Sequence, residues 1–160
     1  MQKYLEVFDA VKAERATGLE WQHKLTIKTG EGLGAALLKV LRPNWTTDSP
    51  NELLNSNGLF FSIWVDAACE AKGIVRYNLH AKKLRMIKGE NFAARDFARS
   101  FRAEHKTALA KWPNLTFPVG PITLFEGFAE LDVATLGATC NTLIDRFIGL
   151  APAIDRMIAE

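Results

Sequence analysis

Cysteine is nearly absent from this chain. Cys69 and Cys140 are the only two in 160 residues, far apart in sequence, so neither a disulfide framework nor a thiolate zinc site is supported. A reducing, cytoplasmic setting is the natural expectation. Histidine is equally sparse. His23, His80 and His105 lie far from one another, and none stands in a metal-binding spacing such as H-E-x-x-H. No metal or cofactor is expected. No apolar run approaches the length needed to span a bilayer, so no membrane partner is expected. The amino-terminal stretch MQKYLEVFDAVKAERATG is broken by Glu6, Asp9 and Glu14 and does not read as a signal peptide. There is no Gly-Lys-Ser/Thr triplet, no nucleophile-elbow serine and no standard RNA- or DNA-binding signature.

What remains is an ordinary globular composition. The chain is 48% hydrophobic and 24% charged, and at this length it reads as one domain over residues 1–160. Residues 3–16 pattern as an amphipathic helix carrying Tyr4, Leu5, Phe8 and Val11, ended by Gly18. WQHKLTIK reads as a short strand and LGAALLKVL as a helix stopping before Pro43. SPNELLNSNG reads as a short helix, with Ser49 as cap, Pro50 at its first position, Glu52 at its third and Asn57-Gly58 closing it.

The strongest strand signals are LFFSIWVDA and GIVRYNLHA, expected as an antiparallel hairpin over 59–66 and 74–81. If residue 66 opposes 74, then Phe61, Ile63, Val65, Val75, Tyr77 and Leu79 share an apolar core face. Phe60, Ser62, Trp64, Asp66, Arg76, Asn78 and His80 share the other. A third strand is expected over 122–131, with Gly127 as a bulge. Asn91 to Ala110 reads as a helix capped by Asn91 and stopped at Trp112-Pro113. The last helix, about 133–158 with Asp132 as its cap, repeats Val133, Leu136, Cys140, Leu143, Phe147, Leu150, Ile154 and Met157 at spacings of three and four. That seam suits packing against the sheet, or a homodimer formed through this helix. The fold class is therefore α+β: a small antiparallel sheet, several packed helices and a long carboxy-terminal helix.

Three motifs bear on chemistry. Gly30, Gly32 and Ala35 fit G-x-G-x-x-A, the pattern of a phosphate loop, but the chain lacks the strand–helix repeats and the downstream acid that complete it. Asp66 with Glu70-Ala71-Lys72 resembles the acid and E-x-K set of a divalent-metal nuclease, although Glu70 and Lys72 fall in a connection. Asp66, His80 and Glu126 on the polar sheet face form the enzyme alternative, a metal-dependent hydrolase or nuclease. Cys69 lies two residues from a lysine, which does not by itself activate a thiol.

The charge distribution is the one anomaly. The chain carries only +2 in total, yet residues 72–111 hold eleven Lys and Arg against three acids, a local charge of +8. At 100° per residue, Arg95, Arg99, Arg102 and Lys106 stack into one helical stripe beside the apolar Phe97, Phe101, His105 and Ala108 face. Arginine suits planar recognition of phosphate or carboxylate. Trp64 opposite Arg76 offers a cation–π pair or a stacking platform. The expected activity is non-catalytic binding of a polyanion, nucleic acid first. The expected contacts are Trp64, Arg76, Asn78, His80 and Lys82 on the sheet, with Arg95, Arg99, Arg102 and Lys106 on the helix.

Overall fold

Alternating polarity in the middle of the chain and helical periodicity at its two ends combine into a two-layer α+β fold. A computed structural model describes residues 1–49, 52–54, 57–88, 93–117 and 123–159. In chain order the elements are α1 (Gln2–His23), β1 (Thr26–Gly32), β2 (Ala35–Leu41), a 3-10 turn (Pro43–Trp45), β3 (Gly58–Asp66), α2 (Ala67–Lys72), β4 (Ile74–Lys82), α3 (Arg85–Lys88), α4 (Ala94–Leu109), β5 (Thr123–Glu130) and α5 (Val133–Ala159). The strands form one antiparallel sheet in the order β1-β2-β3-β4-β5.

The expected hairpin register is the observed one: Trp64 lies opposite Arg76 and Ile63 opposite Tyr77. Phe61, Ile63, Val65, Val75, Tyr77 and Leu79 are all fully buried. The long helices pack on this face. Phe147 of α5 stacks on Phe61 at 4.6 Å, Phe101 of α4 lies 6.2 Å from Phe125 of β5, and Asp9 of α1 accepts a hydrogen bond from Thr29 of β1. The α5 seam from Leu136 through Met157 is buried within the same chain. Gly149 and Pro152 do not break the helix, and Asp132 caps it by accepting from Ala134 N–H at 3.0 Å.

Several expectations change. LGAALLKVL is a strand, β2, not a helix. It is buried on both faces, so its apolar residues run on without alternation, and periodicity cannot separate such a run from a helix. Leu33 and Gly34, both at positive φ (54° and 75°), turn β1 into β2 as a two-residue hairpin. Gly30 and Gly32 thus sit in a strand and no helix follows them, which removes the phosphate-loop geometry. Residues 21–23 are helical: α1 runs through Gly18 because Leu19 continues its buried face. It closes at Lys24, in the left-handed conformation, where Leu25 N–H reaches Leu19 O at 3.0 Å.

Gly127 is not a bulge. The irregularity in the β4–β5 pairing lies at Leu79/His80, and Gly127 pairs normally with Tyr77. Its lack of a side chain serves a close approach instead, because a Cβ there would overlap Tyr77 Oη, which donates to Pro113 O. Described residues 52–54 form a bend rather than a helix. Pro50, Asn91 and Ile122, to which a helix start, a cap and a strand start were assigned, lie outside the described residues. The cap position of α4 is Ala93, with no side-chain hydrogen bond.

Candidate anion-binding groove

The second face of the sheet carries none of the three long helices. Reading across the strands at one level gives Lys28, Lys39, Ser62, Asn78 and Glu126, each opposite the next. The next level gives Leu37, Trp64, Arg76 and Phe128. Over the β1–β2 end lies part of the β2–β3 connection, with Leu53 against Gly30 and Leu54 against Gly32. The two ends of that connection are tied together: Thr47 N–H donates to Asn57 Oδ1 at 2.9 Å, and Asn57 Nδ2 donates to Thr47 Oγ1 at 2.6 Å.

These elements enclose a groove of about 450 Å³, within the range of small-molecule sites. It is polarised along its length. At one end Leu33, Leu37, Leu54 and Trp64 form an apolar wall; at the other lie Lys39, Lys82, Ser62, Asn78 and His80. Its floor is unusual for polar residues, with Lys39 and Asn78 each only 4% exposed. The Lys39 ammonium sits 4.0 Å from the centroid of the Phe60 ring. Burial, reinforced by the nearby Lys82 charge and opposed by Asp48, pulls its pKa down to about 8.

A hydrogen-bonded chain fixes the rest of the floor. His80 Nδ1 lies 3.0 Å from Thr123 Oγ1 and its Nε2 lies 3.0 Å from Asn78 Nδ2. With Nδ1–H donating to threonine, Nε2 accepts from the Asn78 amide. This arrangement leaves Asn78 Oδ1 buried without a hydrogen-bond partner. Thr123 is held in turn from the helical side. Arg102 of α4 donates from Nε to Leu124 O at 2.8 Å and from Nη2 to Thr123 O.

The expected contacts therefore divide. Trp64, Asn78, His80 and Lys82 line the groove, and Arg76 lies on the same face beside Asp66 and opposite Phe128. Arg95, Arg99 and Lys106 are exposed on α4, in the helical layer, and none of them lines the groove. Arg99 lies 3.9 Å from Asp96. Arg102 is directed at strand carbonyls. Among the described residues, Lys39 with Phe60 makes a cation–π contact on this sheet face.

In the acid set of the enzyme alternative Asp66 stands apart, whereas Glu126 lies opposite Asn78, two residues from His80 along β4. Asp66 and His80 are six residues apart along the hairpin, about 20 Å. Asp66 caps α2, accepting from Cys69 N–H at 2.8 Å, and that bond holds its carboxyl below the usual range. Among the described residues no three His, Cys, Asp or Glu side chains gather as a metal site. Burial pushes the Cys69 thiol up, away from reactivity.

Lys39 and Ser62 were missed as site residues. Lys39 stood in a segment read as a helix, and only the β2–β3 register sets it beside Ser62. The available signal was a lysine within an apolar run, which gives no hint of burial. No family model matches the chain, and neither the characterised proteins nor the solved structures compared with it contain a significant match.

Proposed function

We propose that this chain is a non-catalytic binding protein and that the groove on the second sheet face is its ligand site, selective for an anion. One observation carries the reading: a lysine ammonium buried beside a second lysine, on a floor of polar side chains. Desolvation makes the charged form costly, and an anion in the groove would offset that cost directly. The two buried free thiols suit a reducing cytoplasm. The buried α5 seam supports packing within the chain rather than a dimer through that seam.

The test is direct. Inorganic phosphate, acetate and a short single-stranded oligonucleotide are titrated while the Lys39 side-chain resonance is followed across pH. An anion in the groove raises the Lys39 pKa from about 8, and binding weakens as pH rises through that value. A resonance unmoved by all three anions would remove the reading.

A second reading, nucleic acid, is favoured by the Trp64–Arg76–Phe128 row, in which an arginine stands between two aromatic residues on neighbouring strands. Phe128 is 40% exposed. In that case log affinity for a labelled single strand falls linearly with log salt, by roughly 0.7 per phosphate neutralised. Arg95→Gln with Arg99→Gln flattens the slope only if α4 also contacts the strand.

A further inference from the structure

Taking the anion-binding reading of the groove as its basis, we propose that the ligand is a single-headed carboxylate bearing a hydroxyl near the head and an apolar tail, a hydroxyalkanoate. The polarity of the groove requires one head. Of the residues lining the groove, the cationic Lys39 and Lys82 stand at one end, and Arg76, outside the lining near the other end, lies beside the Asp66 carboxylate. Towards the other end stand Leu33, Leu37, Leu54 and Trp64, with the Asp66 carboxylate among the lining residues. A second anionic group placed there would meet a carboxylate and desolvating apolar walls. A tail lying there covers surface that is otherwise wet: Leu33 is 88% exposed and Leu54 46%.

The hydroxyl follows from Asn78. An ammonium alone suits a bare carboxylate, but the floor also holds an acceptor, Asn78 Oδ1, buried and without a partner. A carboxylate brings it no proton, whereas a hydroxyl does. Lys39 and Asn78 stand at one level of the sheet, on either side of Ser62, and are linked through two rings. Lys39 Nζ lies 4.0 Å from the Phe60 centroid, the Phe60 and His80 rings are 5.4 Å apart, and His80 Nε2 is 3.0 Å from Asn78 Nδ2. A hydroxyl one or two carbons from the carboxylate is carried from the Lys39 side of the groove towards Asn78.

The experiment is calorimetric titration of the full chain with hexanoate, octanoate, decanoate, 3-hydroxydecanoate and decanol, with inorganic phosphate as a tailless anion. Affinity is expected to rise about two- to fourfold per methylene. The 3-hydroxy acid should bind about tenfold more tightly than decanoate, because it satisfies the orphan acceptor. Decanol should bind at least tenfold more weakly than decanoate. Lys39→Met should abolish the preference for acid over alcohol. Because that variant alters a buried site, Leu33→Asn at the exposed turn provides a second one, expected to weaken decanoate and leave hexanoate unchanged. Affinity independent of chain length, or equal for acid and alcohol, overturns the inference. Phosphate bound as well as decanoate leaves the anion site standing and removes the tail. No binding by any of these anions removes both.

Discussion

The two faces of the sheet are made from alternate residues of the same strands, and both are substantially buried, but they are buried by different means. On the helical face Phe61 of β3 meets Phe147, Tyr77 and Trp112 in aromatic contact, and Ile63 and Val65 of the same strand are fully buried. On the opposite face Phe60 and Ser62 of the same strand are 5% and 7% exposed, but they flank a lysine, an amide and a histidine. The first face gains from every contact it makes. The second buries a lysine side chain and leaves the Asn78 Oδ1 acceptor without a hydrogen bond, which costs stability. Burial alone does not mark a core; the chemistry of what is buried separates a packing surface from a site.

Sharp differences between the faces follow, the largest on the helical side. Phe61→Ala should cost about 3–5 kcal/mol in urea unfolding, since it empties the space beneath Phe147. Ser62→Ala, one residue away, should change stability by about 1 kcal/mol or less. Equal losses at the two positions would erase the distinction between the faces.

Next in size is a pH effect that belongs to the groove face alone. The unfolded chain holds the Lys39 proton up to its ordinary value of 10.5, whereas the folded chain releases it at about 8. Between those values the unfolded state binds more protons, so stability rises with pH across that window. Below pH 8 this group contributes no slope. The rise should be on the order of 1–3 kcal/mol, read as the difference between the parent and Lys39→Met in denaturant titrations at pH 7 and pH 10. A flat difference would place the ammonium in water.

The smallest effect tests how the faces are connected. Arg102 reaches from the helical layer to the Thr123 carbonyl, and Thr123 Oγ1 orients His80 against Asn78. Arg102→Gln should cost about 1–2 kcal/mol, as hydrogen bonds from a charged group do. It should also shift the His80 ring resonances. Arg95→Gln or Arg99→Gln should stay within about 0.5 kcal/mol and leave those resonances in place. Matching behaviour of all three arginines would show that the stripe is uniform.

Much of this was legible in the residues themselves. The β3–β4 pairing was legible as a hairpin of two aromatic and branched runs bounded by turn residues, and setting residue 66 opposite 74 places Phe61, Ile63, Val65, Val75, Tyr77 and Leu79 on one face. The α5 seam followed from its three-and-four spacing, and Asp132 from its place just ahead of that spacing. The local excess of charge over residues 72–111 is a property of the sequence and stands unaltered.

Three things were settled by tertiary structure. β2 is a strand because it lies between β1 and β3 and is covered on both sides; its Leu- and Ala-rich composition favours a helix by propensity, and long-range pairing overrides it. The arginine stripe is divided because helix geometry fixes which residues share a direction, but only packing decides that Arg102 meets carbonyls while Arg95 and Arg99 meet solvent. The groove itself is assembled from β1, β2, β3, β4 and the connection that carries Leu54, with residues as distant as Gly32 and Lys82 among its lining. Local sequence dictates which way a side chain points from its own strand. It cannot dictate which strand lies alongside, and the burial of Lys39 against Phe60, and with it the chemistry of the site, depends on that neighbour.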